Sequence, residues 1–200
     1  MKIDVITVLY DEFETLDVFG PVEVLGTLGE QFNIVFTSLD GGIVRSSQNV
    51  PVFTCSFAEL DSKKYILLIP GGIGTRQLVK DKKYIEMLYR LANHAEFILT
   101  VCTGSILLSK TGILDGKEAT SNKRVFIWTG MESPAVHWVK KARWVKSGNI
   151  YTSSGVSAGT DMALGFIADQ VGRDAAIRIA QTIEYEWHED PRWDPFADLK

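Results

Sequence analysis

The chain has 200 residues, of which 46% are hydrophobic and 23% are charged, and its formal net charge at pH 7 is −4. This composition is typical of a globular protein with enough apolar material for a core. The acidic balance gives no support to a nucleic-acid partner, and no apolar run of about 18 residues indicates a membrane span. The two cysteines, Cys55 and Cys102, lie far apart and favour a reducing, cytoplasmic compartment. The three scattered histidines indicate no metal site, and we expect no cofactor.

Apolar runs and turn residues predict alternating strands and helices through the first half of the chain. Strands are predicted at residues 3–9, 31–39, 65–69 and 97–101. A small antiparallel hairpin at a sheet edge is predicted around Val44 and Val52. Helices are predicted at residues 16–28 and 81–92, each with apolar residues at helical spacing.

The second half of the chain repeats this alternation with weaker periodicity. A short helix is predicted at residues 125–128, two strands at 143–146 and 150–153, and two longer helices at 155–171 and 173–187. Strands that alternate with helices indicate a doubly wound α/β fold, in which helices cover both faces of a mostly parallel sheet. We expect a single domain over residues 1–200 with an extended tail at 188–200.

The stretch FILTVCTGSILL at residues 97–108 combines a buried strand, a cysteine, a glycine and an apolar helix face. A strand that turns into a helix within about two residues forces the turn residue, Cys102, into a strained backbone conformation. Gly104 lets the helix approach the strand closely. At a helix N-terminus the pKa of the Cys102 thiol is expected to fall. The pattern predicts a nucleophile, with a buried structural cysteine as the alternative.

Two other stretches are predicted to meet Cys102, because sites form at the carboxyl ends of parallel strands. Asp17 lies in the first turn of a helix within an apolar stretch, so we expect burial, a raised pKa and a role as proton donor. A capping acid is the alternative. The N–H groups of Gly71 and Gly72, with that of Thr103, are predicted to form an oxyanion pocket, unless the glycines only end a strand.

The small residues SSGVSAG at 153–159 precede another predicted helix. Gly155, Val156 and Ser157 are expected to pack against the site and to bind substrate together with Ile73. The alternative is that this stretch only caps the following helix.

Four stretches resemble the ThiJ/PfpI superfamily, whose members have a class I glutamine amidotransferase-like, flavodoxin-like fold. They are spread over nearly the whole chain and read FETLDVFGPVEVL, LLIPGGIGT, VCTGSILLSKTGILDGKEAT and SSGVSAGTDMALGFIADQVG. The chain resembles the isonitrile hydratase branch and the related amidase-like domains of certain AraC-type regulators.

That resemblance implies that Asp17, Cys102 and Thr103 carry the chemistry. The thiolate of Cys102 would attack an isonitrile carbon, Asp17 would supply a proton, and water would release an N-substituted formamide. The resemblance also implies a small-molecule substrate and a homodimer. The alternative function is a non-catalytic redox or stress sensor that uses Cys102.

Two departures from the family pattern concern histidine. Thr103 stands where the protease-like branch has a histidine directly after the nucleophile, which disfavours an intracellular protease. The residues Ser121-Asn122-Lys123 stand where glyoxalase-like members have a histidine, which disfavours that activity. Protease, amidase and glyoxalase-like activities remain as a third alternative, after the hydratase and the sensor.

Overall fold

The computed structural model describes residues 2–61 and 64–198. The strands within these residues are β1 (Ile3–Val8), β2 (Phe32–Ser38), β3 (Gly42–Arg45), β4 (Pro51–Ser56), β5 (Tyr65–Ile69), β6 (Phe97–Thr100), β7 (Glu118–Ala119), β8 (His137–Trp138), β9 (Trp144–Ser147) and β10 (Ile150–Ser153). The helices are α1 (Thr15–Gly26), α2 (Thr75–Leu78), α3 (Lys82–His94), α4 (Gly104–Ser109), α5 (Phe126–Glu132), α6 (Ala158–Gln170) and α7 (Arg173–Thr182). None of these helices has the length and apolar character that crossing a bilayer requires.

The main sheet has the strand order β3-β4-β2-β1-β5-β6-β10-β9. Its inner pairs, from β4–β2 to β6–β10, are parallel. The two edge pairs, β3–β4 and β10–β9, are antiparallel, and Val44 pairs with Val52 in the first of them. The mostly parallel sheet and the edge hairpin predicted from the sequence are therefore confirmed.

Helices cover both faces of this sheet. In β5 all five residues are buried, and Leu67 and Ile69 join one apolar cluster while Ile66 and Leu68 join the other. The first cluster takes its helical residues largely from α3 and α4, and the second largely from α6 and α7. Alternating side chains that are buried on both sides are typical of a central parallel strand, and the doubly wound fold is confirmed.

The second half of the chain differs from the sequence prediction at several boundaries. The helix predicted at 173–187 ends at Thr182, because Glu184 adopts a left-handed φ of 50° and the Tyr185 N–H bonds back to the Ala180 carbonyl. The helix predicted from residue 155 begins at Ala158. Helix α2 and the small parallel sheet of β7 and β8 were not predicted, since elements of two to four residues show no periodicity. The described part of the tail, 188–198, contains turns but no helix or strand, and residues 199–200 lie outside the described residues.

Gly104 lies where helix α4 passes close to the carboxyl end of β5. A Cβ built there would clash with the carbonyl oxygen of Ile69 and would lie 2.8 Å from that of Pro70. We expect Gly104→Ala to lower the free energy of unfolding by about 3 kcal/mol, because backbone must move to admit the methyl group. Urea unfolding measures this loss, with Gly130→Ala in α5 as the control, where a Cβ meets nothing within 4 Å. Equal effects of the two substitutions would contradict the expectation.

Candidate functional site

Cys102 lies on the elbow between β6 and α4. Its φ of 56° is left-handed, so the strained conformation predicted from the sequence is confirmed. Its N–H donates to the Ser154 carbonyl at 3.0 Å, and its carbonyl accepts from the hydroxyls of Ser105 at 3.0 Å and Ser121 at 2.9 Å. Two segments distant in sequence, at Ser121 and Ser154, therefore hold the elbow in place together with the adjoining helix.

Three N–H donors surround the Cys102 sulfur. The Asn122 Nδ2 donates to Sγ at 3.0 Å, while its Oδ1 accepts the Arg124 N–H at 2.9 Å, which fixes the orientation of the amide. The backbone N–H groups of Thr103 and Val156 also face the sulfur and lower the pKa of its thiol. Sequence reasoning noted that Ser121-Asn122-Lys123 lack a histidine found in other members, but it assigned Asn122 no role. These donors stabilise negative charge on sulfur.

Asp17 is fully buried beside the thiol, as the sequence predicted. Its Oδ2 accepts the Gly71 N–H at 2.9 Å, and the carboxyl also contacts the thiol of Cys102. Within the described residues its Oδ1 has no hydrogen-bond partner. Burial raises the pKa of Asp17 well above its usual range, and the nearby charge of Glu14 adds to this. A carboxyl with a raised pKa is therefore placed beside the thiol, where it can exchange a proton.

The expected fall in the pKa of the Cys102 thiol is wrong. Burial raises that pKa, and the charge of Asp17 raises it further, while the Asn122 amide and two backbone N–H groups oppose the rise. Helix α4 has only six residues, so its dipole is too short to overcome desolvation. A negative charge on the Asp17 carboxyl therefore disfavours a second one on the Cys102 sulfur, and the two groups can share a single negative charge. A proton can pass from one group to the other.

The amides of the glycine pair have partners inside the protein. The Gly71 N–H donates to Asp17, and the Gly72 N–H donates to the Thr103 hydroxyl at 3.1 Å. That hydroxyl also accepts from the Thr75 hydroxyl at 3.2 Å. The two glycine amides are thus not free to form the predicted oxyanion pocket, and they position Asp17 and Thr103 instead.

The SSGVSAG stretch contributes to the site through three different roles. Val156 has a φ of 43°, rare for a β-branched residue, and it lies in the wall beside the thiol. Gly155 makes room for Asn122, whose Nδ2 would lie 2.7 Å from a Cβ at that position. The Ser157 hydroxyl accepts from Arg143 at 3.3 Å. The predicted contact with the site is therefore made by Val156 and Gly155.

A cavity of about 420 Å³ opens over the Cys102 sulfur. Ile73 lines it, as predicted, and is 56% exposed. Sequence reasoning did not place six further lining residues there, and they are Glu14, Thr75, Arg76, Arg124, Val125 and Trp128. They belong to loops and short helices whose path the apolar pattern does not reveal. Within the described residues no group of three or more His, Cys, Asp or Glu is placed to hold a metal ion.

Removing the Asn122 amide is expected to slow thiol labelling at Cys102. The Asn122→Ala variant loses one donor to the sulfur, so its thiolate is less stable and alkylation at pH 8 should fall about tenfold. Cys55 is the internal control, because its thiol donates to the Phe36 carbonyl on another strand. Peptide mass spectrometry after timed iodoacetamide treatment measures both rates. An unchanged rate at Cys102 would contradict this role for Asn122.

Comparison with known proteins gives a consistent relationship. The chain matches the DJ-1/PfpI family over residues 2–169. It is 30% identical over 188 residues to the isonitrile hydratase of Pseudomonas putida, covering 92% of this chain and 79% of that protein. It is 25% identical to the HTH-type transcriptional regulator GbdR of Pseudomonas aeruginosa, covering 89% of this chain and 49% of the regulator. A solved ThiJ/PfpI family structure from Pseudomonas syringae has a TM-score of 0.81 and 24% identity, covering 100% of this chain and 80% of that one. The chain belongs to the DJ-1/PfpI family.

Proposed function

We propose that this chain is a cysteine-dependent hydratase that adds water to an isonitrile and releases an N-substituted formamide, or performs related amidase-like chemistry on a small C–N bond. The contact between the Cys102 thiol and the buried Asp17 carboxyl carries the proposal. It joins a nucleophile to a proton-transfer group without a histidine. The 30% identity to the isonitrile hydratase of Pseudomonas putida supports the same chemistry.

The first half of the reaction forms a C–S bond. The thiol proton passes to Asp17 while the Cys102 sulfur attacks the isonitrile carbon. Asp17 then returns this proton to the same carbon, which gives a thioimidate, Cys102–S–CH=N–R. Asp17 must therefore act first as a base and then as an acid, because the pKa of the thiol is raised in its buried site.

The second half of the reaction adds water and breaks the C–S bond. Asp17 takes a proton from water as hydroxide adds to the thioimidate carbon, and it passes that proton to the nitrogen. The new hydroxyl then loses its proton through Asp17 to the departing sulfur, and R–NH–CHO is released. Asn122 and the Val156 N–H stabilise the departing thiolate. We assign Thr103, whose hydroxyl oxygen is held by two neighbours in the cavity, to positioning the water.

The experiment that tests this proposal measures formamide formation from a panel of alkyl and aryl isonitriles. We expect turnover by the wild type that is lost in Cys102→Ala and Asp17→Asn. Circular dichroism of both variants checks that the fold is intact. A wild type that turns over neither isonitriles nor amides would overturn the proposal.

Activity is expected to fall on acidification, and the charge of Glu14 should influence the pH at which it falls. The reactive pair holds one proton, and a second proton at low pH blocks transfer from the thiol. Since the charge of Glu14 helps to raise the pKa of Asp17, Glu14→Gln should move the acid limb of kcat/KM to lower pH. Profiles from about pH 5 to pH 9 measure the shift, with the exposed Glu23→Gln as control. A limb that moves to higher pH would contradict the assignment.

A redox sensor is the second candidate function, and the donors around Cys102 favour it. Asn122 and the backbone N–H groups of Thr103 and Val156 could also bind the oxygens of an oxidised sulfur. Reversible oxidation of Cys102 by peroxide, together with no turnover of any C–N substrate, would support the sensor. The homodimer stays a prediction from the family resemblance, and the cytoplasmic location stays a prediction from the two separated cysteines.

A further inference from the structure

Two arginines line the cavity over Cys102. Arg76 in α2 and Arg124 line the cavity, and both are exposed. Within residues 2–61 and 64–198, neither guanidinium forms an ion pair or a hydrogen bond. The chain carries 25 acidic residues against 21 basic ones, so acidic side chains are abundant elsewhere. Two unpaired guanidinium groups in this cavity are therefore available to a ligand.

The cavity also has an apolar wall and an acidic residue. Ile73, Val125 and Trp128 supply the apolar wall, and the Trp128 indole is held by its N–H bond to Glu132 at 3.1 Å. Glu132 is neutralised by an ion pair with Lys110, and it lines a neighbouring cavity. Glu14 is the acidic residue that lines the cavity, and its charge acts on Asp17. A ligand thus meets a reactive sulfur, an apolar surface and two cations.

We propose that the substrate carries a carboxylate on a short apolar spacer, and that Arg76 and Arg124 bind this carboxylate while the C–N group meets Cys102. A guanidinium matches a carboxylate with two parallel hydrogen bonds, so the pair selects an anionic substituent. The identity of the C–N group that reacts with Cys102 rests on the proposed function. The substrate class is an isocyano carboxylate, and the product is an N-formylamino carboxylate.

Binding to the Cys102→Ala variant tests this inference without turnover. 4-Formamidobutyrate is expected to bind about tenfold more tightly than its methyl ester, measured by calorimetry at low salt. Arg76→Gln and Arg124→Gln should each remove most of the difference, whereas Lys117→Gln, an exposed lysine outside the cavity, should preserve it. Equal binding of acid and ester would overturn the inference. Preference for the acid together with no isonitrile turnover would support carboxylate binding and overturn only the hydration reaction.

A separate observation concerns four buried charged side chains behind the site. Lys123, Arg143, Asp161 and Asp194 are each no more than 5% exposed. The Arg143 guanidinium lies 2.6 Å from the Asp161 carboxylate and 3.5 Å from the Asp194 carboxylate. The Asp194 carboxylate also lies 3.7 Å from the Lys123 Nζ. Two cations and two anions balance, although burying them is costly. A gain in stability therefore does not by itself account for this buried charge cluster.

The buried charge cluster joins the two loops that supply donors to the Cys102 sulfur. Lys123 directly follows Asn122, and Arg143 donates to the Ser157 hydroxyl, next to Val156. Asp194 comes from the C-terminal tail and contacts both cations. We infer that Asp194 is a positioning residue, through which the tail holds both donors at the thiol.

Thiol labelling of the full chain tests the role of Asp194. Asp194→Asn should slow alkylation of Cys102 at pH 8 about tenfold while Cys55 keeps its rate, and Asp194→Glu should restore part of the loss. Asp190→Asn, an exposed acid of the same tail, is the matched control. Ser157→Ala breaks the link from Arg143 without touching the charges and should slow labelling in the same direction. A lower melting temperature with an unchanged labelling profile at Cys102 would overturn the inference.

Discussion

Cys102→Ala is expected to reduce formamide formation by about 10³-fold or more. The proposed reaction forms a covalent bond to this sulfur, and alanine offers no nucleophile. The side chain is 6% exposed and the cavity opens over it, so the substitution should disturb the fold little. Formamide release measured by chromatography gives the rate.

Cys55→Ala is the matched control for this prediction. Cys55 lies on β4 near the sheet edge, with its thiol bonded to the Phe36 carbonyl. Its loss should leave kcat and KM unchanged. Equal losses of activity in the Cys55 and Cys102 variants would contradict the assignment of Cys102 as the nucleophile.

Asp17→Asn is expected to lower activity by about 10²–10⁴-fold while making the protein more stable at neutral pH. Asparagine keeps an acceptor for the Gly71 N–H but cannot carry a proton between sulfur, carbon and water. Because burial disfavours the carboxylate, the neutral amide removes a cost that the wild type bears. Steady-state kinetics and urea unfolding measure the two effects.

The pH dependence of stability provides the check on Asp17. Its pKa is raised in the folded state, so between its ordinary value and the raised value the folded protein binds a proton that the unfolded chain releases. The wild type should therefore lose stability relative to Asp17→Asn as pH rises through that window, and regain it on acidification. A difference in unfolding free energy that is the same at pH 5 and pH 7 would contradict a raised pKa.

The parts of the site that the sequence predicted depend on local signals. The apolar run of β6, the Cys102 turn and the small residue Gly104 lie within eight residues, so the strained elbow could be read directly. Asp17 lies in an apolar stretch of α1, which predicted its burial correctly. Apolar runs such as that of β5 likewise predicted the central parallel sheet.

The parts that the sequence did not predict depend on contacts between distant segments. Asn122 lies twenty residues after Cys102 in the sequence. It contacts the thiol because the loop after β7 folds back over the elbow. The Gly72 N–H donates to the hydroxyl of Thr103, which belongs to another loop. This N–H group is therefore not free to serve in the predicted oxyanion pocket. The raised pKa of Cys102 reflects desolvation by the surrounding fold, which a short helix pattern cannot indicate.

Rapid-quench mass spectrometry tests the central claim most directly, namely that Cys102 attacks the substrate carbon and Asp17 moves the protons. Wild type mixed with excess isonitrile and quenched in acid should show a protein adduct equal in mass to one isonitrile, located on the peptide that contains Cys102. In water enriched in ¹⁸O the released formamide should carry the label, and Asp17→Asn should form little product. Steady formamide production with no adduct on Cys102, and with full activity in Cys102→Ala, would contradict the account.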